Sequence, residues 1–246
     1  MSDEARDSTS ESTSESPLAV YGLVAGITAV IGGAFWFALQ PERSENETFF
    51  ALAIPYFILA AYAVYRMRSR DELHLLRPRS GDLTFGALVA AVLYGLAFVV
   101  HALFTSPGEP HEGWIVRVYL LLGNPLSETR HLVALAVTAI GLCEELTWRG
   151  LVTPLLEPRL GALRGGGLST ILWSAAHLPS VWLLADPLAG PNPLLIVGTL
   201  GCGFAWSYLR WRMERLSPVL FSHGLFTWAI VELPLWSPPV NMPFSQ

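Results

Sequence analysis

Seven apolar runs, at 18–39, 49–65, 83–104, 131–150, 167–185, 193–210 and 217–236, divide this 246-residue chain into lengths that suit a lipid bilayer. A helix that crosses the hydrocarbon core needs about 20 predominantly apolar residues. Inside lipid, only helices and closed barrels satisfy all of their own backbone groups. Composition agrees, with 52% of residues hydrophobic and 14% charged, against about 25% charged in soluble domains. The fold class read from these runs is all-α: a polytopic membrane helical bundle with seven to eight transmembrane helices. The eighth is GWIVRVYLLLG (113–123), which is short for a span. It reads as an interfacial or re-entrant helix, with Trp114 and Tyr119 at headgroup level.

The chain falls into three stretches. Residues 1–16 (MSDEARDSTSESTSES) carry Asp3, Glu4, Asp7, Glu11 and Glu15 among Ser and Thr, a composition that cannot bury a core and reads as a disordered acidic tail. The tail has no basic n-region, so the first apolar run reads as a retained helix and not a cleaved signal. Residues 17–125 read as N-terminal transmembrane helices plus the interfacial segment, and 126–240 as a further helical bundle. Net charge is -5 overall and close to neutral without the tail, which excludes nucleic acid as an expected partner.

Arginine placement sets an expected orientation. The loop 65–82 holds Arg66, Arg68, Arg70, Arg77 and Arg79, and the same register places Arg159, Arg164, Arg210, Arg212 and Arg215 on that side. Opposite loops hold only Arg43, Arg117 and Arg130. By the positive-inside rule the N-terminus is cytoplasmic. The GGG at 165–167 lacks the strand and the Lys-Ser/Thr of a phosphate loop and reads as a turn opening the fifth run. Cys143 and Cys202 lie in apolar runs and do not suggest a disulfide framework.

Ionisable groups within a membrane are costly, and they face one another or a wet cavity. Three clusters stand out. In CEELTWRG (143–150), Glu145 and Arg149 are four residues apart and pair on one helix face, while Glu144 points about 100° away. In ILWSAAHLPSVW (171–182), His177 sits within the fifth run, with Trp173 one turn earlier to pack over it. In LFSHGLFTWAI (220–230), His223 and Thr227 share one face. Such a set suits acyl cleavage by water. A glutamate shielded from bulk solvent is a competent general base, a neutral histidine holds the same water, and a histidine with a hydroxyl partner can donate to an oxyanion. Zinc held by Glu144, His177 and His223 is the alternative, although no H-E-x-x-H is present.

These residues resemble the CPBP (CAAX protease/Abi) family of type II CaaX prenyl endopeptidase-like intramembrane proteases. Its pattern is E-E-x-x-x-R, then aromatic-x-x-x-His, then His-x-x-x-Asn on successive helices. The first motif is EELTWR (144–149), complete. The second is WSAAH (173–177), with Trp where Phe is usual, and the third is HGLFT (223–227), with Thr where Asn is commonest. The resemblance covers roughly 130–230, makes 126–240 the catalytic bundle and finds nothing to add in 1–125. It implies that Glu144 acts as base with His177 on the attacking water, and that His223 and Thr227 form the oxyanion site. Glu145 and Arg149 would be structural or substrate-orienting, and Trp173 supporting.

The function expected is therefore a glutamate-dependent intramembrane endopeptidase, a hydrolase without a bound cofactor. Its expected partners are the lipid bilayer and a protein or peptide substrate with a membrane-associated tail. The expected setting is a bacterial cell membrane, with a cavity facing the cytoplasm. Two other readings stay open. One is a sorting-type transpeptidase with Cys143 as nucleophile, His177 or His223 as base and Arg149 on the oxyanion. The other is a non-catalytic immunity or scaffold protein.

Overall fold

The computed structural model describes residues 16–123 and 127–236; most of the acidic tail lies outside them. Among the described residues the architecture is helical, with a single isolated bridge between Asp186 and Gly190 in place of any strand. The order is α1 (Pro17–Ala38), α2 (Glu45–Ser69), α3 (Asp82–Val100), α4 (Glu112–Leu121), α5 (Arg130–Thr147), α6 (Thr153–Leu160), α7 (Ala162–Ala176), α8 (Pro179–Leu183), α9 (Leu194–Met213) and α10 (Ser217–Glu232). A short 3-10 turn (Leu73–Leu76) lies between α2 and α3, and single π turns follow α3 (His101–Thr105) and α5 (Trp148–Val152).

Local chemistry explains the boundaries. Ser16 accepts from the Ala19 amide at 3.2 Å, and Pro17 opens α1, where its missing N–H costs nothing. A capping box starts α2: the Glu47 amide donates to Ser44 Oγ at 3.3 Å, and the Ser44 amide returns a bond to Glu47 Oε2 at 2.9 Å. Pro55 lies inside α2 without ending it.

The buried stripe of α1 runs Val20, Val24, Ile27, Ile31, Phe35 and Ala38, at helical spacing. Its other face is equally apolar, with Trp36 55% exposed, and Phe50 and Ile58 of α2 are more exposed still. A helix that is apolar all round belongs in a core or a membrane, and these outward faces meet nothing in the protein. Pro17–Ala38, Glu45–Ser69, Asp82–Thr105 and Arg130–Leu160 are long and apolar enough to cross a bilayer. The later runs form shorter or more polar helices: α7 has 15 residues, α10 has 16, and α9, with 20, carries Arg210 and Arg212 in its last turn. Four of the described helices are thus candidate spans by length and composition.

Three local readings change. The fifth run does not form one helix over 167–185. It begins at Ala162 and stops at His177, whose N–H turns back to Ser174 and Ala175, and Pro179 then opens α8. Proline cannot continue the ladder, so the chain turns there. The GGG at 165–167 is helix and not turn. A Cβ on Gly165 would lie 3.0 Å from the Glu157 amide nitrogen, so the glycine lets α7 lie against α6. The turn itself belongs to Gly161, at φ 79°. Finally, α4 faces inward: Tyr119 is buried and donates to the Ile230 carbonyl at 2.9 Å, and Trp114 Nε1 donates to the Gly190 carbonyl at 3.2 Å.

The N-terminal helices are not a separate layer. The helix α2 packs on α5, α1 on α7, and α3 lies along α10. In lipid such contacts rest on close packing and small residues more than on the hydrophobic effect. Gly86 is one such residue, since a Cβ there would come within 2.7 Å of the Pro218 carbonyl oxygen. A polar latch closes the same end. Asp82, fully buried, accepts from Ser217 Oγ and from Arg215 Nη2, each at 2.6 Å.

Candidate active site

All three polar clusters converge on one cavity of about 1220 Å³. Its walls are mostly aliphatic and aromatic, and its polar lining includes Glu144 from α5, His177 at the end of α7, and His223 with Thr227 from α10. The lining extends from Arg212 and Met213 at the arginine-rich end to His101 and Tyr119 at the other. Between α3 and α9, which meet only sparsely, the lining residues Leu88, Val92, Val197 and Tyr208 are also more than half exposed. The cavity therefore opens sideways, toward the apolar outer face.

Glu145 and Arg149 pair as their spacing predicts, with Arg149 Nη1 3.2 Å from Glu145 Oε1 and both side chains fully buried. The π turn at Trp148–Val152 directly follows α5, and the Trp148 carbonyl is satisfied by the hydroxyls of Thr153 at 2.8 Å and Ser169 at 3.1 Å. Such single-turn π bulges recur at functional sites. Arg149 also donates to the Gly203 carbonyl at 3.0 Å and lies over the Trp173 ring at 4.6 Å. Gly203 has to be glycine for this approach, because a Cβ would sit 2.7 Å from Thr170 Cγ2 and 3.0 Å from Arg149 Nη2.

Glu145 has a second partner that helix spacing does not reveal. His223 Nδ1 lies 2.8 Å from Glu145 Oε1. A carboxylate only accepts, so Nδ1 is the protonated nitrogen and Nε2 is left for the cavity. The His223 ring stacks on Trp206 at 3.9 Å, with Gly141 against its edge. Its Nε2 lies 3.9 Å from Glu144 Oε2. That is too long for a hydrogen bond, so both atoms remain available to a third group. Thr227 stands one turn beyond His223 on the same wall.

His177 is fixed in the same way. Its Nδ1 donates to the Trp173 carbonyl at 2.9 Å, leaving Nε2 as the acceptor. The ring lies edge-on to Trp173 at 5.5 Å, as the one-turn spacing predicts, and against Phe35 of α1 at 4.1 Å. Glu144 is 8% exposed and lines the cavity. Phe35 and Trp206 are thus site residues that motif reading missed, and Phe35 comes from the stretch that had added nothing. One more phenylalanine or tryptophan in an apolar run carries no signal of its own.

Cys143 is buried in the apolar core and lies outside the cavity lining. Arg149, its suggested oxyanion donor, is committed to Glu145 and Gly203. Among the described residues, no group of three or more His, Cys, Asp or Glu gathers as a ligand set for a metal ion.

Residues 125–229 match the family described as type II CAAX prenyl endopeptidase Rce1-like. All three motifs lie inside that stretch, so the resemblance read from them is borne out. No curated protein and no solved structure matches the chain.

Proposed function

We propose that this chain, a helical membrane protein whose residues 125–229 are of the type II CAAX prenyl endopeptidase Rce1-like family, is a glutamate-dependent endopeptidase. It cuts the C-terminal or membrane-proximal part of a protein or peptide that carries an apolar tail. One observation carries the reading. Glu144, His177 and His223 come from three helices to one apolar cavity, while the charge beside them, Glu145, is already met by Arg149.

The steps follow from which atoms are free. Glu144 takes a proton from a water held with His177 Nε2, and the hydroxide adds to the scissile carbonyl carbon. The carbonyl electron pair moves to oxygen, where His223 Nε2–H and the Thr227 hydroxyl donate to the oxyanion. Because His223 Nδ1–H is given to Glu145, the ring donates through Nε2 as an imidazolium, which the Glu145 carboxylate stabilises. Collapse breaks the C–N bond, and the proton held by Glu144 passes to the departing amine. The sideways opening between α3 and α9 suits entry of an apolar tail from the bilayer, and the arginine-rich loops favour a cytoplasmic N-terminus by the positive-inside rule.

The test uses purified protein in detergent micelles and a quenched peptide whose cysteine, fourth from the C-terminus, is farnesylated. Release of the last three residues is expected, and it persists in chelator. Cys143→Ala should keep the rate within about twofold, as expected of a substitution that touches no reacting group. Loss of cleavage in that variant, with Glu144→Ala still active, would move the reading to a cysteine nucleophile. Thr227→Asn is expected to cleave as fast or faster, because the amide reaches farther than the hydroxyl with a comparable donor. A large loss would show that the hydroxyl itself is required.

A further inference from the structure

Among the described residues that line the cavity, Arg212 is the one arginine. Its neighbours along the chain are paired, Arg210 with Glu157 and Arg215 with Asp82. Arg212 is exposed and bonds to none of the described residues. Its position is what sets it apart from other surface arginines. Cys202, Ala205, Trp206, Leu209, Arg212 and Met213 all line the cavity, and their spacing of three and four puts them on one face of α9. Arg212 therefore ends the same stripe that carries Trp206, whose ring stacks on His223.

The register along α9 gives a length. Trp206 marks the level of His223, and Arg212 stands six positions on, in a helix that runs to Met213. At a rise of about 1.5 Å per residue, the two are about 9 Å apart along the axis. Three extended residues span roughly 10 Å. The wall between is apolar. Leu209 lines it from α9, and Phe85 and Val89 line it from the start of α3, which Asp82 ties to Arg215. A guanidinium at the end of such a wall matches a carboxylate in charge and in its forked geometry. We propose that Arg212 is a specificity-determining residue that receives the free C-terminal carboxylate of the substrate, about three residues past the bond that is cut. This rests on the reading that cleavage occurs between Glu144 and His223. A chain that continues past that point has no carboxylate to offer there, so Arg212 selects chain ends over internal segments.

The experiment reads binding apart from cleavage. The farnesylated peptide, as free acid and as C-terminal amide, is titrated into full-length Glu144→Gln and Glu144→Gln/Arg212→Gln in non-ionic micelles. Glu144→Gln is expected to bind the acid about tenfold more tightly than the amide, between the effect of an exposed ion pair and that of a desolvated charge-assisted hydrogen bond. The preference shrinks as salt rises. The double variant is expected to bind both peptides alike, with the affinity of the amide. Arg212→Lys in the same background keeps part of the preference, as a point charge without the fork. Equal binding of acid and amide by Glu144→Gln overturns the proposal, and so does a preference that survives Arg212→Gln. Anionic phospholipid added to the micelles separates the other source of negative charge. If Arg212 serves a lipid headgroup, Arg212→Gln alters the response to that lipid and leaves the acid-to-amide ratio as it was, which also overturns the proposal. If Glu144→Gln still cleaves, the glutamate mechanism falls, and the acid-to-amide ratio, then taken from KM, still decides the role of Arg212. If Glu144→Gln is inactive and the ratio is one, only this inference falls.

Discussion

Glu144→Gln is expected to lower kcat by about 10²–10⁴-fold, the contribution of a general base, while leaving KM nearly unchanged and raising thermal stability slightly. The two halves of that expectation have one cause. Glu144 is 8% exposed and has no arginine of its own, so its charge is held in an apolar cavity without full compensation. Burying an unpaired charge costs free energy, and the isosteric amide removes the charge and keeps the shape. A residue kept at a cost to stability marks a functional site. Steady-state cleavage and thermal inactivation in the same micelles check both halves. A variant that loses activity by unfolding would report structure instead, and one that keeps its rate would remove Glu144 from the mechanism.

Arg149→Met is expected to fail differently, by loss of the fold. The substitution leaves Glu145 fully buried and facing only His223. Breaking a buried ion pair by removing one partner costs about 3–5 kcal/mol. The Gly203 carbonyl also loses its 3.0 Å donor, and the Trp173 ring loses the guanidinium above it. The double variant Glu145→Gln/Arg149→Met removes both charges and is expected to recover most of that stability, since replacing a buried pair by neutral groups is often close to neutral. Its activity stays low, because His223 no longer has a carboxylate to stabilise the imidazolium that donates to the oxyanion. Temperature of half-inactivation measures the first effect, and kcat on the surviving fraction measures the second. If the double variant were as active as wild type, Glu145 would be a structural charge alone.

These two glutamates show how far the amino-acid sequence can be read. Spacing along one helix separated them correctly: Glu145 with Arg149 four residues on, Glu144 left over. The same rule placed Trp173 against His177 and put His223 on one wall with Thr227. It could not find the bond from His223 to Glu145, which joins α10 to α5 across 78 positions. Nor could it bring Phe35 to His177, because periodicity describes a helix and not its neighbours. Apolar run length identified the helical membrane class, yet misplaced the ends of individual helices. Runs 167–185 and 217–236 count residues that leave the helix at His177 and after Glu232. Pro179 was visible in the first case. The glycines were visible too, but a close helix crossing and a turn use the same residue, and only the packing of Gly165 on Glu157 tells them apart.

The most direct measurement needs no assumption about the substrate. Membranes from cells lacking the gene are compared with membranes from the same cells carrying either the wild-type gene or Glu144→Gln at equal expression, and the termini of all membrane proteins are sequenced. Uncut precursors should accumulate in the null strain, disappear with wild type and persist with Glu144→Gln. Restoration of the cut termini by Glu144→Gln would contradict a glutamate-activated water as the agent of cleavage.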